Sequence, residues 1–241
     1  MSEKHLQKGS AFPAKSDDGK WRLYSMQYCP YAQRARIILA LKNVPHEIVN
    51  VNTTNKPEWF LELNSLGKVP VLDTGSSIIP ESLVICDYLD EIFPEPPLHS
   101  KDEQRRERDA ALLKEFDEFL TIYHGGIRSQ DEASYPACVQ ELTTRVAKFD
   151  EELRKRGTYF GGEKPQMIDF MLWPWAERAP IASQIFKENF PDATVFPSLY
   201  SWCAKMRVNP VLQDTKTDFR KQLKFYELYR CGGFIDYDMP I

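Results

Sequence analysis

The sequence predicts a small α/β domain followed by an all-helical one. Strand-like and helix-like segments alternate over roughly the first ninety residues, the pattern of helices packed on a sheet. Phe93-Pro94-Glu95-Pro96-Pro97-Leu98-His99 then sets three prolines within four positions, which stops a helix and stiffens a linker. Beyond that break, strand signals all but vanish and apolar residues recur at helical spacing.

Each element has its own signal. Residues 1–20 form a polar N-terminal extension. Arg22 to Met26 reads as a strand, and Pro30 to Lys42 as a helix rich in helix formers, with Pro30 suited to the first turn. His46 to Val51 is a second strand and Pro57 to Asn64 a short helix. Val69 to Asp73 and Ser77 to Ile79 read as strands flanking a turn at Thr74-Gly75-Ser76, and Ser82 to Asp90 as a helix with one apolar face. The α/β domain is thus assigned to 21–93, the linker to 94–100 and the helical domain to 101–241. In the last, Leu113, Phe116, Leu120 and Tyr123 mark one helix, and Val139, Leu142, Val146, Phe149 and Leu153 another. Met167 to Lys187, Pro197 to Arg207 and Val211 to Tyr229 are expected to be three more.

Composition excludes several functions. With 241 residues and a formal net charge of -4, the chain offers no general attraction to nucleic acid or anionic lipid. The basic run Arg105-Arg106-Glu107-Arg108 is interrupted by acid and reads as a solvated helix face. Five cysteines at wide, irregular spacing suit neither a disulfide framework nor a zinc site, so no metal is expected and a reducing compartment is the simplest setting. The first twenty residues lack the apolar run of a signal peptide, and no stretch approaches the roughly 20 apolar residues of a membrane span. The expectation is a cytoplasmic protein without stable membrane insertion.

The chemistry concentrates in Tyr28-Cys29-Pro30-Tyr31-Ala32-Gln33-Arg34. Cys29 follows a strand and precedes a helix whose unpaired N–H groups carry partial positive charge, a field that favours thiolate and lowers a thiol well below its free value of roughly 8.5. Arg34 is placed to add to that field. The position three after Cys29 is Ala32, so the chain lacks the second cysteine with which a paired motif resolves its own mixed disulfide. A lone thiol waits for a thiol from solution, which points to a small-thiol cosubstrate.

Strand, Cys-Pro helix, strand, then Val69-Pro70 and Glu81-Ser82 before a helix is a thioredoxin-like plan, and with the helical bundle it resembles the soluble glutathione transferases. The match is closest to the omega class, which has cysteine where other classes place serine or tyrosine. Tyr24-Ser25-Met26-Gln27-Tyr28-Cys29-Pro30-Tyr31-Ala32, Asn55-Lys56-Pro57-Glu58-Trp59-Phe60 and Ile168-Asp169-Phe170-Met171-Leu172-Trp173-Pro174-Trp175-Ala176-Glu177-Arg178 carry the resemblance. It implies a mixed four-stranded sheet and a glutathione site with Cys29 as catalytic residue. Val69, before a cis Pro70, would contact the cysteinyl backbone; Ser82 and its helix start would hold the γ-glutamyl carboxylate, Glu81 the ammonium, and Lys56 the glycine carboxylate. From the residues alone, Pro70 also reads as a strand-start proline, Glu81 and Ser82 as helix caps, and Lys56 as a solvated lysine.

The resemblance further implies an acceptor pocket, nominating Tyr31, Trp175, Arg178 and Phe219, although aromatic residues at helical spacing also read as core. Phe219 stands where a tryptophan is familiar in this class. Gln166 replaces the usual serine or threonine of a capping box, leaving Asp169 to favour the helix start. The implied activity is that of a thioltransferase and reductase acting on dehydroascorbate and mixed disulfides. Glutathione conjugation, reductive pterin conversion in pigment synthesis, and a non-catalytic ligand-binding or membrane-inserting role are the alternatives. A homodimer is the implied assembly.

Overall fold

The computed structural model describes residues 4–15, 18–232 and 235–238. These divide into two compact units, one made of the described residues up to Pro96 with Thr215–Leu228 and 235–238, the other of Pro97–Asp214 with Tyr229–Gly232.

The first unit follows the expected order: β1 (Trp21–Ser25), α1 (Pro30–Leu41), β2 (His46–Asn50), α2 (Glu58–Leu63), β3 (Val71–Asp73), β4 (Ile78–Pro80) and α3 (Ser82–Ile92). The strands form one sheet in the order β2-β1-β3-β4, with β1 parallel to β2 and antiparallel to β3, and β3 antiparallel to β4. Alternation along β1 assigns the two faces. Tyr24, paired with Val49 and Val71, joins Val51 and Phe60 in a cluster to which Trp59 and Leu63 of α2 add partly buried surface. Leu23, paired with Ile48 and Leu72, points the other way. There α1 and α3 pack on each other and bury Ile37, Ile38, Ile85 and Leu89.

The N-terminal extension docks on this unit. Leu6 makes a parallel bridge to Val51, extending the pairing beyond β2. The Arg22 guanidinium is buried, donating to the carbonyls of Pro13 and Ala14 at 2.8 and 2.6 Å and to Glu47 at 2.8 Å. Residues 215–228, which sequence order groups with the helical domain, belong here because Phe225 stacks on Tyr28 with ring centroids 4.8 Å apart and Thr217 Oγ1 donates to the Gln27 carbonyl.

The helices beyond the linker are α4 (Glu103–Arg128), α5 (Tyr135–Arg156), α6 (Met167–Glu177), α7 (Ala179–Phe186), α8 (Pro197–Arg207), α9 (Pro210–Thr215) and α10 (Phe219–Cys231). Two expected helices are each broken. Met167 to Lys187 divides at Arg178, because Pro180 has no N–H to continue the ladder and starts α7 instead. Val211 to Tyr229 divides between Thr215 and Phe219, where Asp218 accepts from the N–H groups of Arg220 and Lys221 and starts α10.

Asp169 supplies the reciprocal arm of a capping box at the start of α6, accepting from the Gln166 N–H. Its buried carboxylate accepts from the N–H groups of Phe160, Gly161 and Gln166 and from Trp202 Nε1, at 2.8 to 2.9 Å, and burial pushes it up to about 6 in spite of those donors. Around it Phe116, Phe149, Phe160, Trp173 and Trp202 pack edge to face.

Candidate active site around Cys29

β1 ends at Ser25, and a tight turn in which Cys29 N–H donates to the Met26 carbonyl at 3.0 Å delivers the chain to α1. Cys29 is the N-cap, with extended φ and ψ of -73° and 119°, and Pro30 follows as the first helical residue. Its Sγ accepts the N–H of Ala32 at 3.4 Å, the place a serine hydroxyl takes in an ordinary cap. A thiol so placed lies in the positive field of the helix start, which stabilises its anion. The residue is 9% exposed and no disulfide joins any of the five cysteines.

The other cysteines differ in surroundings. Cys86 on α3 is fully buried, and burial drives its thiol far up the scale. Cys203 is pushed up to about 12 by the same cause.

Three loops bring further expected residues to the α/β unit. The Val69-Pro70 peptide is cis, and the Val69 carbonyl lies 4.0 Å from Cys29 Sγ. Glu81 precedes α3 with φ of 71°, a left-handed conformation that costs a non-glycine residue on the order of 1–3 kcal/mol and is concentrated at functional sites. Its exposed carboxylate makes no capping bond. Ser82, buried at the first turn of α3, receives Nη1 of Arg34 at 3.5 Å. The Arg34 guanidinium therefore reaches across to α3, a role that its helical spacing from Cys29 does not reveal.

Lys56 follows a turn in which Asn52 Oδ1 accepts from the N–H groups of Thr54 and Asn55. Its stem crosses Gly67, whose φ is +58° and where an added Cβ would fall 2.8 Å from Lys56 Cδ. The glycine thus gives the lysine stem room to lie flat, and the ammonium has no ion-pair partner among the described residues. The arrangement offers a thiol at a helix start, a second helix start with a hydroxyl, a carboxylate and a cation, which suits a zwitterionic peptide carrying its own thiol.

The residues nominated for the acceptor fall in different surroundings. Tyr31 is half-buried beneath the Arg34 guanidinium, 5.6 Å from its ring centroid. Phe219, the first residue of α10, is 41% exposed. Trp175 is buried edge-on against Phe116 and lines an apolar cavity of about 80 Å³ with Phe119, Phe149 and Trp202. Arg178 is fully buried and donates to the Pro174 carbonyl at 2.5 Å. His5, whose Nε2 accepts from Gln27 N–H in the turn before Cys29, and Asp238, which bonds His5, carry no signal in the sequence, because only folding brings these remote positions together.

Comparison with known proteins agrees with this layout. The family model of the glutathione S-transferase N-terminal domain matches residues 23–97, and that of the C-terminal domain matches 132–205. Glutathione S-transferase omega-1 from Mus musculus is 34% identical over 229 residues, covering 95% of this chain and 93% of that protein. Pyrimidodiazepine synthase from Drosophila melanogaster is 36% identical over 235 residues, covering 95% and 94%. The crystal structure of glutathione transferase Omega 3C from Trametes versicolor shares the fold, with a TM-score of 0.77 at 21% identity over 91% of this chain and 94% of its own.

Proposed function

The chain belongs to the omega class of the glutathione transferases, and from that premise we propose that it is a glutathione-dependent thioltransferase and reductase working through Cys29. The observation that carries this reading is the Cys29 Sγ, seated as the N-cap of α1 with Ala32 where a resolving cysteine would stand.

The chemistry balances as two exchanges. The Cys29 thiolate attacks the glutathionyl sulfur of a mixed disulfide, forming Cys29–S–S–glutathione and expelling the acceptor thiolate. A glutathione thiolate then attacks the Cys29-linked disulfide, releasing glutathione disulfide and returning the Cys29 thiolate. With dehydroascorbate as acceptor, two free glutathiones are consumed: they supply the two electrons and two protons that make ascorbate and leave as glutathione disulfide. Lys56 binds the glycine carboxylate, the Val69 backbone the cysteinyl portion, and Glu81 with Ser82 the γ-glutamyl end. Tyr31, Trp175, Arg178 and Phe219 are the proposed acceptor residues, and a homodimer the proposed assembly.

A second reading, reductive pterin conversion, draws on the similarity to the Drosophila melanogaster pyrimidodiazepine synthase. Conjugation is disfavoured because a cysteine at this position is captured as a mixed disulfide. Among the described residues no helix is long and apolar enough to cross a membrane.

Intact mass after incubation with oxidised glutathione tests the main reading. Wild type is expected to gain one glutathione, lost in Cys29→Ala together with dehydroascorbate reduction. Retention of the adduct or of full reductase activity by the variant would sink it.

A further inference from the structure

Two residues before Cys29, the Gln27 peptide is gripped from several parts of the chain. Its N–H donates to Nε2 of His5 at 3.2 Å. Its carbonyl accepts from Arg36 Nη2 of α1 and from Thr217 Oγ1, each at 3.1 Å. His5 is in turn bound to the C-terminal segment: its Nδ1 is 2.6 Å from Asp238 Oδ1, and its backbone N–H donates to both Asp238 oxygens at 3.0 Å. The imidazole is buried, nearly parallel to Tyr28 at 6.3 Å and tilted on Tyr237 at 5.1 Å, while the Tyr28 hydroxyl donates to the Tyr237 carbonyl.

This geometry assigns the tautomer. A backbone N–H can only donate, so Nε2 carries a lone pair and Nδ1 carries the proton, given to Asp238. Protonating His5 would set a second N–H against that of Gln27, leaving two buried donors face to face. The groups around the ring are Asp238 and Asp236 from the C-terminal segment, Arg36 from α1, and the phenols of Tyr28 and Tyr237. Burial outweighs the two carboxylates, and with Arg36 it holds the imidazole below its ordinary value.

We propose that His5 is a positioning residue for Cys29: its neutral ring holds the Gln27 peptide and thereby the turn that seats the thiol at the start of α1, and its protonation releases that turn and slows the thiol. The inference rests on the reading of Cys29 as the reacting thiol. Because burial holds the native ring below its ordinary value, its hold is complete above the unfolded value of roughly 6.5 and is lost as the pH falls through the lower native value.

The test is the rate of Cys29 alkylation by iodoacetamide across the range from mildly alkaline to acid pH, divided by the thiolate fraction read from its ultraviolet absorbance. The divided rate of wild type is expected to fall several-fold on the acid side. His5→Gln keeps an uncharged acceptor for Gln27, so it should match wild type at neutral pH and lose the acid fall. His5→Phe should be slower by about tenfold throughout, for the loss of a buried acceptor. Asp238→Asn removes a charge that favours the cation, and should move the fall to lower pH. A flat wild-type profile, or His5→Gln and Asp238→Asn profiles coincident with wild type, overturns the proposal, and these two variants decide if His5→Phe does not fold. Alkylation needs no glutathione, so a failed glutathione adduct with an intact His5 effect overturns the proposed function and leaves the positioning role standing.

Discussion

Arg34 Nη1 donates to Ser82 Oγ over 3.5 Å, which ties the helix begun by Cys29 to the start of the helix that follows Glu81. Arg34 is 2% exposed, so the direction of its side chain is set by packing. Arg34→Lys keeps the charge but loses the planar fork. It is expected to raise the KM for glutathione about tenfold while leaving Cys29 alkylation near neutral pH unchanged. Steady-state kinetics beside an alkylation time course checks this; an unchanged KM would remove Arg34 from the site.

Gly67 makes room for Lys56. An alanine there would meet Lys56 Cδ at 2.8 Å and Leu61 Cδ2 at 2.9 Å, in a backbone conformation with φ of +58°. Gly67→Ala should cost on the order of 1 kcal/mol in stability, read by urea unfolding. It should also displace the ammonium and raise the KM for glutathione, and Lys56→Ala is expected to raise it by roughly three- to tenfold. A KM unchanged in both variants would refute the role given to Lys56.

Asp169 gathers four N–H donors on two oxygens. In Asp169→Asn one oxygen becomes an NH₂ group facing two of those donors. The expected loss is about 3 kcal/mol, because buried donors are left without an acceptor. Urea titration followed by tryptophan fluorescence measures it, Trp202 being one of the four donors to Asp169.

The cysteines are expected to separate by reactivity. At neutral pH iodoacetamide should label Cys29 and the exposed Cys231, while Cys86 and Cys203 stay unlabelled in the native state. Since Cys203 is held up to about 12 and Cys86 higher still, moderately alkaline buffer should not add either. Peptide mapping after a pH series measures this, and early labelling of the half-buried Cys203 would contradict its raised thiol.

How far the sequence could be read depended on how local each cause is. The start of α1 was legible because strand, cysteine and proline lie in one stretch, and the proline-rich linker because ring geometry acts on adjacent residues. The break before α10 was also local, in Asp218 as an N-cap, but the apolar spacing on either side masked it. Pro180 was equally visible, yet a proline in the first turn of a new helix and one inside a continuing helix look alike until the preceding residue's conformation is known.

By itself, then, the sequence determined the order of elements in the α/β unit, its sheet-forming segments and the seat of the thiol, because periodicity, capping and proline act within a few residues. Only tertiary structure decided that Arg34 turns to Ser82, that Glu81 takes a left-handed conformation, that residues 215–228 join the α/β unit, and that His5 and Asp238 meet over Gln27. Those contacts join positions remote in the chain, and their free energy comes from burial and hydrogen bonds that do not exist until the sheet and its helices have closed around them.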